Sequence, residues 1–146
     1  MTALSPYLNY PGTAEEAFTY YAEALGTEVI GIARFRDFGD AMGPLPEADL
    51  DKVANMALRL PDGSMMMATD VLESMGQEFR PGNNFSLHLE ADDVAVAERI
   101  FAALSAGGKV NMEPGRTEWA QWFAGCTDKF GVEWMVSFTG GVVFGA

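Results

Sequence analysis

The sequence predicts an α+β fold in which two βαβββ modules form a half-open barrel around a cavity. Three observations support this prediction. An apolar stripe at helical spacing occurs twice, each time directly after a short strand-like stretch. Alternating apolar and polar residues at 85–91 indicate a half-buried strand, and residues 119–138 predict two strands joined by a turn that contains Gly131. A βαβββ sheet leaves one face uncovered, so pairing two such modules buries apolar surface for both.

The first module begins with a strand over residues 5–10. Thr13 with Glu16 three residues later is the pattern of a helix capping box, and Gly26 is placed to end that helix. The apolar stripe of the helix consists of Ala14, Ala17, Phe18, Tyr21 and Leu25. The remaining stretches are predicted, in order, as a strand over 27–38, a loop over 39–51, strands over 53–60 and 64–70, and a loop over 71–84.

The second module repeats this order. A strand over 85–91 is followed by a helix that Asp92 or Asp93 caps and that a glycine pair ends. Its apolar stripe consists of Val94, Ala97, Ile100, Phe101 and Leu104. The later stretches are predicted as a strand over 109–113, a turn at Pro114-Gly115 and the hairpin over 119–138. Residues 63–67 also match residues 131–135 in pattern, which indicates an internal duplication.

The composition is that of one compact domain. With 146 residues, 49% of them hydrophobic, we expect a single domain over 1–146, with modules at about 1–72 and 84–140 joined by a loop. The net charge of −12 argues against nucleic acid as a partner. No apolar run approaches the roughly 20 residues of a membrane span, and the start lacks a signal-peptide pattern. We therefore expect a cytoplasmic protein, with the single Cys126 buried in the core.

Two segments carry a resemblance to a known family. Residues 5–26, SPYLNYPGTAEEAFTYYAEALG, look like an opening strand and helix, and residues 119–138, WAQWFAGCTDKFGVEWMVSF, combine tryptophans with Asp-x-Phe-Gly. Together they resemble the PhnB-like branch of the glyoxalase/bleomycin-resistance/dioxygenase superfamily, also called the vicinal-oxygen-chelate superfamily. The resemblance implies the glyoxalase/bleomycin-resistance fold, commonly assembled as a homodimer around a cavity. In metal-dependent members, side chains from the first and fourth strands of each module hold a divalent ion.

The resemblance places the metal-ligand positions near Pro6, or near a neighbour of Pro6 if the register slips, and near Met67, Ser86 and Met135. None of these is a histidine or a carboxylate, and neutral thioethers do not hold hard divalent ions. We therefore expect no cofactor and no metal at these positions. The alternative is a divalent metal at a displaced site. The sequence also has no glycine-rich nucleotide loop for a methyl donor, so it does not favour a demethylubiquinone methyltransferase.

His88 and Glu90 are the candidate catalytic residues. His88 is the single imidazole of the chain, and strand alternation places it on one face with Ser86 and Glu90. By the same alternation, Met135 shares its face with Glu133 and Ser137. A histidine beside carboxylates in a concave site serves as a general base or as part of a metal cluster. The alternative is a hydrogen-bonded His88–Glu90 pair on a solvated strand face.

An aromatic and methionine-rich set forms the candidate ligand-binding surface. Trp119 and Trp122 offer flat faces for a planar or cationic ligand, and the alternative is that they pack in the core. Arg116 either meets an anionic substrate or is a solvated loop residue. The predicted ligand-binding set consists of Tyr10, Met67, Ser86, Arg116, Trp119, Trp122, Glu133 and Met135.

Three functions from different classes follow from these residues. The first is a protein that binds or sequesters a small molecule in an aromatic cavity, without the usual metal. The second is a lyase, isomerase or dioxygenase-type enzyme that uses a displaced divalent metal or an acid/base pair around His88 and Glu90. The third is a homodimeric interaction protein whose cavity is filled by side chains. We favour the first, and whether the protein is an enzyme stays open at this point.

Overall fold

A computed structural model describes residues 2–143 of the chain, which divides into two compact units, Met1–Arg80 and Pro81–Ala146. Each unit has one α-helix and four strands, with the helix after the first strand. The first unit consists of β1 (Tyr7–Tyr10), α1 (Ala14–Leu25), β2 (Val29–Arg34), β3 (Val53–Arg59) and β4 (Met65–Asp70). The second unit consists of β5 (Leu87–Glu90), α2 (Val94–Ser105), β6 (Lys109–Gly115), β7 (Trp122–Thr127) and β8 (Glu133–Phe138).

The two sheets have the same topology. The strand order is β1-β4-β3-β2 in the first unit and β5-β8-β7-β6 in the second. In each sheet the first strand pairs in parallel with the last one in sequence, and the other neighbours are antiparallel. The predicted α+β fold of two βαβββ modules is therefore confirmed. The single domain, the cavity and the homodimer stay predictions.

Each helix covers one face of its own sheet. On β1, Leu8 and Tyr10 are buried whereas Tyr7 and Asn9 are exposed, so strand alternation separates a helix-facing side from the opposite side. The buried residues of the helices are Ala14, Ala17, Phe18, Tyr21, Ala24 and Leu25 in α1, and Ala97, Ile100, Phe101 and Leu104 in α2. The predicted stripes lie on these faces, with Val94 only half-buried. The sheet face opposite the helix is called the helix-free face below.

The two helices begin with different caps. Asp93 accepts a hydrogen bond from the backbone N–H of Val96 at 2.8 Å, so the cap predicted for α2 is confirmed. The capping box predicted at Thr13 is wrong, because the Thr13 side chain makes no cap hydrogen bond. Instead, the buried carboxylate of Asp70, at the end of β4, accepts the backbone N–H of Ala14 at 2.9 Å. The cap of α1 therefore comes from a residue that is distant in sequence.

Two stretches differ from the predicted strands. The strand predicted over 27–38 ends at Arg34, and Phe35–Phe38 forms a 3-10 helix. Pro114-Gly115, predicted as a turn, lies within β6, which is an edge strand. An edge strand tolerates proline because one of its sides donates no hydrogen bonds to the sheet. Within residues 2–143, no helix is long and apolar enough to cross a membrane.

Candidate functional site

The helix-free face of the second sheet carries the predicted catalytic pair. His88 and Glu90 lie on β5, and their register partners on β8 are Met135 and Ser137. Ser137 pairs in turn with Phe123 on β7. Since register partners in neighbouring strands point to the same side of a sheet, these five side chains lie on one face. The shared face expected from strand alternation is therefore present.

A chain of hydrogen bonds joins the polar members of this face. Nε2 of His88 lies 2.8 Å from Oγ of Ser137, and that hydroxyl donates to Oε1 of Glu90 at 2.9 Å. Glu90 also accepts the Oγ1 hydroxyl of Thr139 at 2.9 Å and the backbone N–H of Thr139 at 2.8 Å. Ser137 is buried, whereas His88 and Glu90 are exposed. The serine thus connects the imidazole to a carboxylate that three donors hold in place.

The surroundings of Glu90 favour its ionised form. Burial raises the pKa of this carboxyl, but the hydrogen bonds from Thr139 and Ser137 and the charge of His88 outweigh burial, so the pKa lies below its usual value. A carboxylate with a lowered pKa is a weak base. Glu90 is therefore suited to orient Ser137, and His88 is the better candidate for proton transfer.

An aromatic pair lies beside this polar chain. The ring of Trp119 meets the ring of Phe123 edge to face, with 5.5 Å between ring centroids. Phe123 is buried, but Trp119 keeps 41% of its surface exposed. Because Phe123 is the register partner of Ser137, the exposed indole extends the apolar surface next to the serine. Such a combination of one polar chain and an aromatic wall is typical of small-molecule sites.

Glu133 belongs to a second polar network on the same face. Its Oε1 accepts the hydroxyl of Thr127 at 2.7 Å, and its Oε2 accepts the side-chain amide of Asn111 at 3.0 Å. The same amide also donates to Thr127 at 2.9 Å. These bonds tie β6, β7 and β8 together. Glu133 therefore has protein donors on both oxygens and acts within the sheet.

Tyr10 and Trp122, both predicted to bind ligand, lie on the helix-facing sides of their sheets. The Tyr10 hydroxyl donates to the Tyr21 hydroxyl at 3.2 Å, and its ring meets Phe18 edge to face with 6.1 Å between centroids. Trp122 meets Phe101 of α2 with 5.9 Å between centroids. Both residues are buried in these contacts. They pack the cores of their units, so the candidate site does not include them.

Of three further predicted residues, Ser86 and Arg116 lie outside the His88 hydrogen-bond chain, and Met67 belongs to the first unit. Ser86 is exposed and precedes β5, and Arg116 is exposed and follows β6 directly. Neither side chain makes a hydrogen bond or ion pair with another residue of the described part of the chain. Met67 lies on the helix-free face of the first sheet, as the register partner of Tyr7. Met135, the other predicted methionine, is the register partner of His88.

The register revises the expected metal positions. The strand neighbours of Met67 and Met135 are Tyr7 and His88, not Pro6 and Ser86. The donors at these pairs are one phenol, one imidazole and two thioethers, which do not fit a hard divalent ion that prefers several oxygen or imidazole ligands. Among residues 2–143, no group of three or more histidine, cysteine, aspartate or glutamate side chains is arranged to hold a metal ion.

Sequence reasoning did not single out Phe123 as a site residue, and it missed Thr139. Phe123 lies two residues before Gly125 and four before Thr127, so alternation along β7 places it on the helix-free face. Thr139 follows Ser137 by two residues, just beyond β8. Its contact with Glu90 could not be found from the local pattern, because the two residues are 49 positions apart.

A cavity of about 420 Å³ lies in the first unit, lined in part by Lys52, Asp49 and Ser74. The Lys52 ammonium lies 2.9 Å from Oδ1 of Asp49, and the Ser74 hydroxyl donates to Oδ2 at 2.6 Å. The hydrogen bond from Lys52, followed by that from Ser74, lowers the pKa of the Asp49 carboxyl. Lys52 and Asp49 therefore pair with each other in this cavity, which Glu73 also lines, and the candidate site remains the His88 face.

A family model and two relatives match nearly the whole chain. The model described as 3-demethylubiquinone-9 3-methyltransferase matches residues 2–137. Protein YjdN of Escherichia coli (strain K12) is 31% identical over 147 residues, which cover 92% of this chain and 93% of that protein. The crystal structure of protein PA1353 from Pseudomonas aeruginosa is 34% identical, with a TM-score of 0.82, and the match covers 94% of this chain and 98% of that one.

Two more distant structures share the fold. A PhnB protein from Bacillus cereus, described as a putative 3-demethylubiquinone-9 3-methyltransferase, has a TM-score of 0.75 at 24% identity, over 94% of this chain and 99% of that one. A glyoxylase/bleomycin resistance protein/dioxygenase domain from Frankia sp. EAN1pec has a TM-score of 0.61 at 12% identity, over 95% and 96% of the two chains. These likenesses show the glyoxalase/bleomycin-resistance fold.

Proposed function

Because the chain belongs to the family described as 3-demethylubiquinone-9 3-methyltransferase, the PhnB-like branch of the glyoxalase/bleomycin-resistance superfamily, we propose that it binds a small organic molecule. The proposed site is the helix-free face of the second sheet, around His88, Ser137 and Trp119. Binding there uses hydrogen bonds and aromatic contact, without the divalent metal of other superfamily members.

One observation carries this proposal. The chain from His88 through Ser137 to Glu90 ends in an exposed imidazole, and it lies beside the exposed indole of Trp119 through Phe123. A site of this kind holds a ligand by one oriented polar contact and by apolar area, which together give orientation and affinity. The buried Ser137 and the anchored Glu90 hold the imidazole in place before the ligand arrives, which lowers the entropic cost of binding.

The metal-free part of the proposal rests on the donor set. Met67 and Met135 offer soft thioethers, and each has only one aromatic hydroxyl or imidazole as its strand neighbour. Hard divalent ions are held by several oxygen or imidazole ligands at once. Among the described residues of each unit, the donors at these positions do not match the ligand set of the superfamily's metal, which supports the metal-free proposal.

An enzyme is the second candidate, because the His88 chain is also what an acid/base site requires. A lyase- or isomerase-type reaction needs one group that takes a proton and a second group that orients the first. His88 suits the first role and Glu90 the second. A dioxygenase-type reaction needs a displaced divalent metal as well. The family description names a methyl transfer, which needs a bound methyl donor. Binding of S-adenosylmethionine, measured in the melting experiment described next, tests this.

Thermal melting of the purified protein in a library of small aromatic and heteroaromatic compounds tests the binding proposal. A ligand of the folded protein raises the melting temperature, because it binds the native state alone. We expect hits whose affinity, measured by calorimetry, falls about tenfold in Trp119→Ala through the lost aromatic contact. Phe38→Ala is the matched control, because Phe38 is a similarly exposed aromatic residue in the first unit, at 46% exposed.

The variants separate the candidate functions. His88→Ala is expected to weaken binding of the hits, and equal affinity in both proteins would contradict the site. If a hit is consumed by the wild type and not by His88→Ala, the enzyme becomes the leading function. If no compound raises the melting temperature, the proposal fails and interaction through a dimer surface gains support.

We also propose that the protein is a homodimer in the cytoplasm. Light scattering checks the homodimer, and cell fractionation checks the cytoplasmic location.

A further inference from the structure

The hydrogen-bond chain determines which nitrogen of His88 carries a proton. A serine hydroxyl has one proton to donate, and Ser137 donates it to Oε1 of Glu90. Nε2 of His88 lies 2.8 Å from the same serine oxygen, so Nε2 must be the donor in that contact. The neutral imidazole is then the Nε2–H tautomer. Its Nδ1 has a lone pair and makes no hydrogen bond with the residues that the structure describes.

We infer that the site takes a ligand that donates a hydrogen bond, through O–H or N–H, to Nδ1 of His88. Ser137 and Glu90 are positioning residues that hold the imidazole in the tautomer this ligand needs. The inference rests on the proposed function, since it concerns the ligand of the same face. His88 is exposed, so its imidazole ring, which carries Nδ1, is accessible to a small molecule.

The neighbours of His88 narrow the ligand class further. The exposed Trp119 indole and the buried Phe123 ring favour an aromatic body beside the polar chain. A carboxylate or phosphate ligand would offer only acceptors to the lone pair of Nδ1, and it would lie close to the negative charge of Glu90. A phenol, an enol on a conjugated ring or an N–H heteroaromatic compound satisfies both requirements.

The single histidine of the chain makes the tautomer directly measurable. Protein labelled with ¹⁵N-histidine gives one pair of imidazole resonances, and their couplings to the ring protons identify the protonated nitrogen. At a pH where the ring is neutral, we expect the ratio of the Nε2–H form to the Nδ1–H form to exceed the ratio in the urea-unfolded protein by roughly tenfold, the effect of one hydrogen bond in a charged chain. Ser137→Ala is expected to return the ratio towards the unfolded value.

Glu90→Gln is the decisive variant, because the Nε2–H form also predominates in free histidine. The backbone N–H of Thr139 needs an acceptor, which fixes the amide oxygen of the glutamine at the former Oε2 position. The amide NH₂ then points to Ser137 and donates to its oxygen, so the serine proton turns to Nε2 of His88. We therefore expect the tautomer to change to Nδ1–H. Glu98→Gln, an exposed change on α2, is the matched control and leaves it unchanged.

Phenol and anisole are the ligand probes, because they share a ring and differ in the O–H donor. We expect phenol to shift the Nδ1 resonance of the wild type, and anisole at the same concentration to leave it in place. An Nδ1–H tautomer in the folded wild type, or no change of tautomer in Glu90→Gln, overturns the positioning role. Equal shifts with both probes, or none with phenol, overturn the ligand class. These readouts need no natural ligand, whereas the melting screen alone decides the proposed function.

Discussion

Asp128 accepts the indole N–H of Trp134 at 2.8 Å, across the turn that joins β7 to β8. Its other oxygen accepts the backbone N–H groups of Phe130 and Val132, at 2.8 and 3.0 Å. Asp128 is buried, and Trp134 lies on the helix-facing side of β8. The Asp-x-Phe-Gly signature with its following tryptophan therefore closes a hairpin and anchors a core side chain. This signature marks the fold of the second unit, and the candidate site lies on the opposite face.

Replacing Asp128 by asparagine is expected to lower the free energy of unfolding by about 2 kcal/mol. The amide keeps one acceptor, so either the indole N–H or the turn N–H groups lose a partner in a buried position. Asp62→Asn is the matched control, since Asp62 holds the corresponding turn between β3 and β4 in an exposed position. Urea unfolding followed by tryptophan fluorescence measures both, and equal losses would contradict the role of Asp128.

The two helix starts predict a contrast between two alanine variants. Asp93→Ala removes the side chain that caps α2, and we expect a loss of about 1 kcal/mol in the free energy of unfolding. Thr13→Ala removes a side chain without a cap hydrogen bond, so we expect a loss below about 0.5 kcal/mol. Chemical denaturation of both variants in the same buffer tests this. A larger loss in Thr13→Ala would show that the threonine caps α1 in solution.

The lowered pKa of Glu90 predicts how stability depends on pH. Since the folded-state pKa lies below the unfolded value, this carboxylate adds stability above the unfolded pKa and loses it as pH falls through the folded pKa. The stability difference between the wild type and Glu90→Gln is therefore expected to be larger at about pH 7 than at about pH 3. Denaturation curves at both pH values measure it. A difference that is the same at both values would contradict the predicted ionisation.

Cys126 is expected to be unreactive in the folded protein. Burial, followed by the charges of Asp128 and Glu133, raises the pKa of its thiol to about 11, so at about pH 8 only about one thiol in a thousand is ionised. Dithionitrobenzoate should therefore label the folded protein slowly and the urea-unfolded protein at once. Fast labelling of the folded protein would show that β7 opens readily, since Cys126 has no exposed surface there.

Strand and helix periodicity predicted most of the fold. Both apolar stripes matched the buried helix faces, and alternation placed His88 and Glu90 on one face of β5. These predictions succeeded because each depends on residues a few positions apart, where the period alone sets which side chains share a face. The location of Ser137 on the same face followed from the same rule applied to β8.

The failed predictions depend on partners far away in sequence. The cap of α1 comes from Asp70, which is 56 positions from Ala14, so the local pattern at Thr13 was misleading. The first strand has apolar residues at both parities, so its pattern does not choose a face for Tyr10. Packing against Phe18 makes that choice in the folded unit.

Metal content tests the central claim of a metal-free small-molecule site most directly. Protein purified without an affinity tag is analysed by elemental mass spectrometry, and its melting temperature is measured with chelator and with added nickel, manganese and zinc. The account predicts metal far below one ion per chain and a melting temperature that neither treatment changes, because thioethers and a single imidazole do not form a hard-ion site. Near-stoichiometric metal with a chelator-sensitive melting temperature would contradict it.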